Sequence, residues 1–262
     1  MLYPNQTFVQ MPVNEAGRDF FVGDVHGCLP HLRVLMKAVR FSPDHDRLFS
    51  VGDLIDHGSH SFEILQRLKD WPFFHAVVGN HEGMAMAYRN MPGLLNTAGR
   101  IWHENGGAWS AHMTDEQWQL ADRVFEGMPL VIEVPLRDGT RVDMVHAEFP
   151  TFMEWNDVTK LSVEKVRPAE RHLLATERDL IWGRDVFRAA LHLRGDGGSR
   201  ESSGDEIREL SIRMLDEKAR KLLKPVRGVD LLIAGHAVTP DRLPMAAGNR
   251  WWIDTGAHWK DQ

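Results

Sequence analysis

Three apolar runs, each closing on a glycine followed by a side-chain oxygen, constrain this chain most. Asp19-Phe20-Phe21-Val22-Gly23 leads into Asp24-Val25-His26-Gly27. Residues from Arg47 to Val51 lead into Gly52-Asp53-Leu54-Ile55-Asp56-His57-Gly58. Residues from Phe73 to Val78 lead into Gly79-Asn80-His81-Glu82. Apolar runs this short read as buried strands. Between them, Leu32, Leu35, Met36 and Val39, then Phe62, Leu65 and Leu68, recur at helical spacing, and Pro30 suits a helix's first turn. Strand, helix, strand, helix, strand predicts a parallel sheet with crossover helices. Such sheets collect functional groups at the carboxyl ends of their strands.

The pattern changes after residue 112. Thr114-Asp115-Glu116-Gln117 reads as a capping box opening a helix that Pro129 closes. Leu130 to Val134 and Arg141 to Val145 flank Asp138-Gly139, a tight-hairpin signal. The second of these runs ends in His146. Asp230 to Ala234 ends in Gly235-His236, and Trp251-Trp252-Ile253 ends in Asp254-Thr255-Gly256. The fold class expected is α/β with α+β elements: two mixed sheets packed as a central sandwich and flanked by helices. With 262 residues, one domain over 1–262 accounts for the chain. Residues 154–227 read as a charged, mostly helical elaboration, with a flexible Gly- and Ser-rich link near 195–204.

Charge and cysteine narrow the function. A formal net charge of −6 argues against coating a nucleic acid or a polybasic grip on a membrane. The single cysteine, Cys28, precludes an intrachain disulfide and reads as a packing residue. Neither a signal peptide nor a transmembrane run is visible, so a cytoplasmic location is expected.

The strand ends gather Asp24, His26, Asp53, Asn80, His81, His146 and His236. Carboxylate, amide oxygen and imidazole donors together suit manganese, iron or zinc. Two such ions about 3.5–4 Å apart can share a carboxylate and clamp an in-line displacement at phosphorus. Taken singly, each strand end is a turn; taken together they are a metal site.

These segments resemble the calcineurin-like metallophosphoesterases. Asn105-Gly106-Gly107, Val145-His146-Ala147-Glu148-Phe149-Pro150, Ile181-Trp182-Gly183-Arg184 and Ile253-Asp254-Thr255-Gly256-Ala257 extend the likeness. More narrowly, they resemble PPP-type serine/threonine protein phosphatases of the bacterial and bacteriophage-lambda type. The resemblance implies the metallophosphoesterase fold and two divalent ions, Mn2+ foremost. Asp24, His26 and Asp53 would hold one ion, and Asn80, His146 and His236 the other, with Asp53 bridging. His81 would be the general acid, oriented by Asp56, and Arg184 would grip the phosphoryl oxygens. The implied reaction is hydrolysis of phosphoserine and phosphothreonine, with phosphotyrosine a further candidate, by direct attack of a hydroxide held between the metals. The partner would be a phosphoprotein or a phosphorylated small molecule, and oligomeric state stays open. A symmetrical bis(5′-nucleosyl)-tetraphosphatase, or another small-molecule phosphoesterase, is the alternative, since it shares the early motifs.

One position departs from that pattern. His57 stands where the resemblance leads one to expect arginine. Arginine binds phosphate through a permanently charged fork, whereas imidazole is only partly charged near neutral pH. His57 is therefore a candidate substrate-binding residue with altered grip. His103 and His258 are assigned to surface or loop, and Glu148 either supports His146 or is plain surface.

Overall fold

The computed structural model describes residues 4–90, 99–158, 175–194, 214 and 216–258. The expected link at 195–204 lies outside them. The strands are β1 (Phe8–Gln10), β2 (Asp19–Val22), β3 (Arg47–Ser50), β4 (Phe74–Ala76), β5 (Val131–Pro135), β6 (Arg141–Met144), β7 (Leu231–Ala234), β8 (Met245–Ala247) and β9 (Arg250–Trp252). They form a three-stranded sheet, β2-β3-β4, and a six-stranded sheet, β1-β5-β6-β7-β9-β8.

The small sheet is parallel throughout, as the alternation of strands and helices predicts. Crossover connections are supplied by α1 (Leu29–Ala38) and α2 (Ser61–Asp70). Side chains alternate along β3, so its two faces serve different cores. Leu48 joins Leu29, Leu32, Ile64, Leu65 and Phe125 beneath the helices. Phe49 and Val51 face Ile132, Val134, Val142 and Met144 across the sandwich. Each such fully buried side chain contributes about 1.5–3 kcal/mol relative to exposure.

The larger sheet is mixed. Asp138-Gly139 does make the β5–β6 turn, with Gly139 at φ +87°, and those strands are antiparallel. Strands β6, β7 and β9, however, run parallel to one another. Their carboxyl ends thus reach the same edge of the sandwich as those of β2, β3 and β4. Strand β4 is shorter than the apolar run Phe73–Val78. Beyond it the amide of Val78 donates to Pro129 O at 2.8 Å, which turns the chain toward the second sheet. The capping box at Thr114 is formed and opens the helix Asp115–Gly127. Among the described residues no helix is long and apolar enough to cross a membrane.

One cross-strand pair is chemically odd. Glu133 on β5 lies opposite Asp143 on β6, and both are buried. Trp155 Nε1 donates to Glu133 at 3.0 Å, while Arg141 Nε lies 3.6 Å from each carboxylate. Burial first, and then the charge of Glu133, pushes the Asp143 carboxyl up to about 8. Between its ordinary range and that value the folded chain holds a proton that the unfolded chain releases. Stability therefore falls as pH rises across this window and levels off above it. Asp143→Asn removes the titration. The variant should gain about 2–4 °C or more in Tm over wild type at pH 8.5 and little at pH 4.5, by thermal melts at both. An equal gain at both pH values contradicts the account.

Candidate metal centre

Six strand ends meet at the sandwich edge. Asp24 follows β2, Asp53 follows β3 and Asn80 follows β4; His146, His236 and Asp254 follow β6, β7 and β9. All six are buried. Close approach of the backbones requires glycine at two points. A Cβ at Gly79 would run into Asp53 Oδ1, and one at Gly235 into Asp24 Oδ1. His26, Asp53, Asp56, His57 and His236 all adopt left-handed backbone, with φ of 44°, 47°, 75°, 60° and 65°. Such conformations cost of order 1–3 kcal/mol each and persist only where the surroundings impose them.

A buried carboxylate imposes several of them. Glu82, fully buried, accepts the amides of Leu54 at 2.8 Å, Gly79 at 2.9 Å and Asp53 at 3.0 Å. It thereby ties the ends of β3 and β4 together. Burial, then the nearby charge of Asp53, raises its carboxyl to about 7.

Donor atoms gather in sets whose members lie within 4.8 Å of one another: Asp24, His26 and Asp53, and Asp53, His146 and His236. Asp53 belongs to both. His26 Nδ1 sits 3.0 Å from Ile55 O, and His146 Nδ1 sits 2.7 Å from Val51 O. A carbonyl oxygen only accepts, so both rings carry their proton on Nδ1 and point the Nε2 lone pair into the site. His146 Nε2 then faces Asn80 Oδ1 at 2.9 Å and Asp53 Oδ1 at 3.4 Å. The lone pairs of His146 Nε2 and the Asp53 carboxylate, facing one another without a proton to share, suit a cation that both can reach. Burial lowers His146, takes His26 down to about 3 and takes His236 down to about 2, so the imidazoles remain neutral donors for metal. Burial and the neighbouring charges of Asp254 and Asp53 hold Asp24 well above the carboxylate range. A bound cation relieves that repulsion. The residues present thus fit divalent metal.

Beside this donor set stands a different pair. His81 Nδ1 lies 2.6 Å from Asp56 Oδ2. Burial opposes the imidazolium of His81, but that hydrogen bond and the charges of Asp53 and Asp56 outweigh it and raise the pKa. Asp56 is itself held by indole donors, Trp102 Nε1 at 2.8 Å and Trp109 Nε1 at 2.7 Å. Nothing in the spacing of these tryptophans pointed to that role. Gly106 brings them close: at φ 99° it packs against the backbone of His57 and Cβ of Asp56.

A cleft of about 490 Å3 opens over the centre, lined by His26, Asp53, Asn80, His81, His57 and Arg184 among others. Arg184 Nε donates to His236 Nε2 at 3.0 Å. His57 lines this cleft, and burial and His81 lower its pKa.

The structure differs from the sequence reading at three further residues. His258, half-buried on a turn, does not simply face solvent: its ring stacks on His57 with centroids 4.2 Å apart and planes at 13°, and it lines the cleft. Cys28 Sγ, donating to Ala257 O at 3.4 Å, helps hold that segment in place. Glu148 is buried rather than superficial. It accepts the amides of Asp185 at 3.0 Å and Phe187 at 2.8 Å, clamping the helix that follows Arg184. Asp254, to which the sequence attaches no role, is buried at a strand end like the others and lines the cleft. His103 does not line the cleft.

Comparison with known proteins agrees with this geometry. The sequence matches the calcineurin-like phosphoesterase family over residues 20–240. The chain belongs to that family and is a hydrolase. It is similar to serine/threonine-protein phosphatase 2 of Salmonella typhimurium, 30% identical over 239 residues, spanning 90% of this chain and 86% of that protein. It is also similar to serine/threonine-protein phosphatase 1 of the same organism, 32% identical over 191 residues, or 71% and 84% of the two chains. A symmetrical bis(5′-nucleosyl)-tetraphosphatase of Actinobacillus succinogenes is 44% identical, but over 64 residues, 24% of this chain and 23% of that one. Among solved structures, a putative diadenosine tetraphosphatase shares the fold with TM-score 0.54 and 22% identity over 97% of this chain and 89% of that one.

Glu82→Gln keeps the shape but turns an N–H donor toward the amides Glu82 now accepts. Divalent-ion affinity measured calorimetrically should fall by about 10- to 100-fold, as for other residues that orient a metal ligand. Unchanged affinity would show that Glu82 does not set the position of Asp53.

Proposed function

We propose that the protein is a metal-dependent phosphomonoesterase acting on phosphoserine and phosphothreonine in proteins, with phosphotyrosine a further substrate. The observation that carries this reading is the shared carboxylate. Asp53 belongs to both donor sets, and His81, its pKa raised through the hydrogen bond to Asp56, stands beside it in the same cleft. Asp24, His26 and Asp53 would hold one divalent ion. Asp53, Asn80, His146 and His236 would hold the second, with Mn2+ the leading candidate and iron or zinc compatible with the same donors. Bound there, two cations supply an activated water and neutralise charge on the phosphoryl oxygens.

The chain's own residues do the rest. His81 donates its Nε2 proton to the departing alkoxide. Asp56, accepting from Nδ1, keeps the imidazolium charged and oriented until that moment. The tryptophan donors fix Asp56 in turn. Arg184 holds phosphoryl oxygens through its planar fork. A neutral imidazole has one lone pair, so ligation by His236 frees Arg184 from that ring and leaves its guanidinium for substrate. The length of the match to protein phosphatases supports phosphoprotein as substrate, and the cytoplasm is the proposed location. A dinucleoside tetraphosphatase is the second reading, favoured by the shared 64-residue segment.

A metal-by-substrate panel separates the two: Mn, Fe, Zn and Mg against an aryl phosphate, a phosphoserine peptide and dinucleoside tetraphosphate. Peptide hydrolysis exceeding tetraphosphate hydrolysis is expected, and the reverse order overturns the primary reading. Asp53→Asn should abolish turnover throughout the panel, because it weakens both ions at once.

His57 tests the phosphate grip. A fixed cation at this position should strengthen competitive inhibition by inorganic phosphate about tenfold in His57→Arg, equivalent to about 1.4 kcal/mol. An unchanged inhibition constant would mean that the His57–His258 stack already supplies what arginine would.

A further inference from the structure

The cleft over the metal centre continues past Arg184. Arg184 immediately precedes the helix Asp185–Arg194, and the amide of Arg188 donates to Arg184 O at 2.9 Å. The two arginines are therefore one helical turn apart on one face. Both line the 490 Å3 cleft, and both line a neighbouring cavity of about 350 Å3 with Thr151, Trp182 and Leu222. Arg184 is engaged beside the metal ligands. Arg188 is placed where the two spaces join. Its own ion partner holds it weakly: Arg188 Nη1 lies 3.8 Å from Asp185 Oδ1, and both side chains are exposed. Meanwhile Glu148, two residues from His146 and clamping the amides of Asp185 and Phe187, locks the start of this helix to the metal centre. The arginines thus have a fixed register relative to the reacting phosphorus.

We propose that Arg188 is a specificity-determining residue that receives a second anionic group on the substrate, an acidic side chain flanking the phosphorylated residue of a peptide. This assignment rests on the phosphoprotein reading above. The spacing sets the register. Four residues of helical rise separate the arginines by about 6 Å along the axis, and an extended peptide advances about 3.3 Å per residue. The acidic residue accordingly lies two positions from the phosphoresidue. Asp185 is the carboxylate that competes for Arg188.

The test compares two phosphoserine peptides with the metal-loaded full chain, one with Asp two positions from the phosphoserine and one with Asn there. Wild type should favour the acidic peptide about threefold to tenfold in kcat/KM, chiefly through KM. Arg188→Gln should bring the ratio to about one, Arg188→Lys should keep part of it, and Asp185→Asn should raise it. The readout is the ratio within each variant, so a general loss of activity or fold cancels. A ratio of one in wild type, or a ratio untouched in Arg188→Gln, overturns the assignment alone. If Arg188→Gln slows dinucleoside tetraphosphate hydrolysis while the peptide ratio stays fixed, the second anion is a phosphate and the assignment is overturned. If neither peptide is hydrolysed while aryl phosphate is, the phosphoprotein reading fails and takes this assignment with it.

Discussion

Everything at the centre of this protein depends on one buried charge. Asp53 is 2% exposed and carries a carboxylate that its own desolvation disfavours. Around it stand His26, His81 and His146, with oxygen–nitrogen separations of 3.7, 3.8 and 3.4 Å. The charge of His81, and its backbone amide, which donates to Asp53 Oδ1 at 2.9 Å, favour the carboxylate and hold the Asp53 carboxyl below its ordinary range. A buried carboxylate in such company is stable only when its partners are fixed, since a lost partner leaves an uncompensated charge. The two sheets supply that fixity. Their parallel strands end together, and the left-handed turns after them aim side chains inward at a backbone cost that Glu82 helps to offset by accepting three amides.

The same arrangement separates two tasks that both use histidine. His26, His146 and His236 are kept neutral by burial and so offer lone pairs. His81 is pushed the other way by Asp56 and so retains a proton to give. The difference is one hydrogen bond. Nδ1 of His26 and His146 meets a neutral carbonyl, whereas Nδ1 of His81 meets a carboxylate that two indoles hold still. In the proposed reaction, what stands behind each ring would sort the imidazoles of one cleft into metal donors and an acid.

Much of this was legible in the sequence, and for a physical reason. Apolar runs ending in glycine and a polar residue encode where a strand stops and which side chain follows. Asp24, Asp53, Asn80, His146 and His236 could therefore be placed at strand ends from local pattern alone. Asp254 carries the same pattern, but the pattern alone does not say whether such a carboxylate joins the centre. Glu148 was ambiguous because its partners, Asp185 and Phe187, lie 37 and 39 residues away. The indoles that hold Asp56 lie 46 and 53 residues from it, and no periodicity links them.

The sequence by itself determined the order of the strands that carry the site and the side chains at their ends, which follow from local pattern, and through the family resemblance it pointed to the pairing of His81 with Asp56. Tertiary structure decided what depends on contact between distant segments. It placed His258 face to face with His57, turned Glu148 into a clamp, brought Asp254 into the centre and put Arg188 at the join of two cavities. Such contacts are set by how two sheets pack and where their loops then fall. That packing is a property of the whole buried surface, which no short window of residues contains.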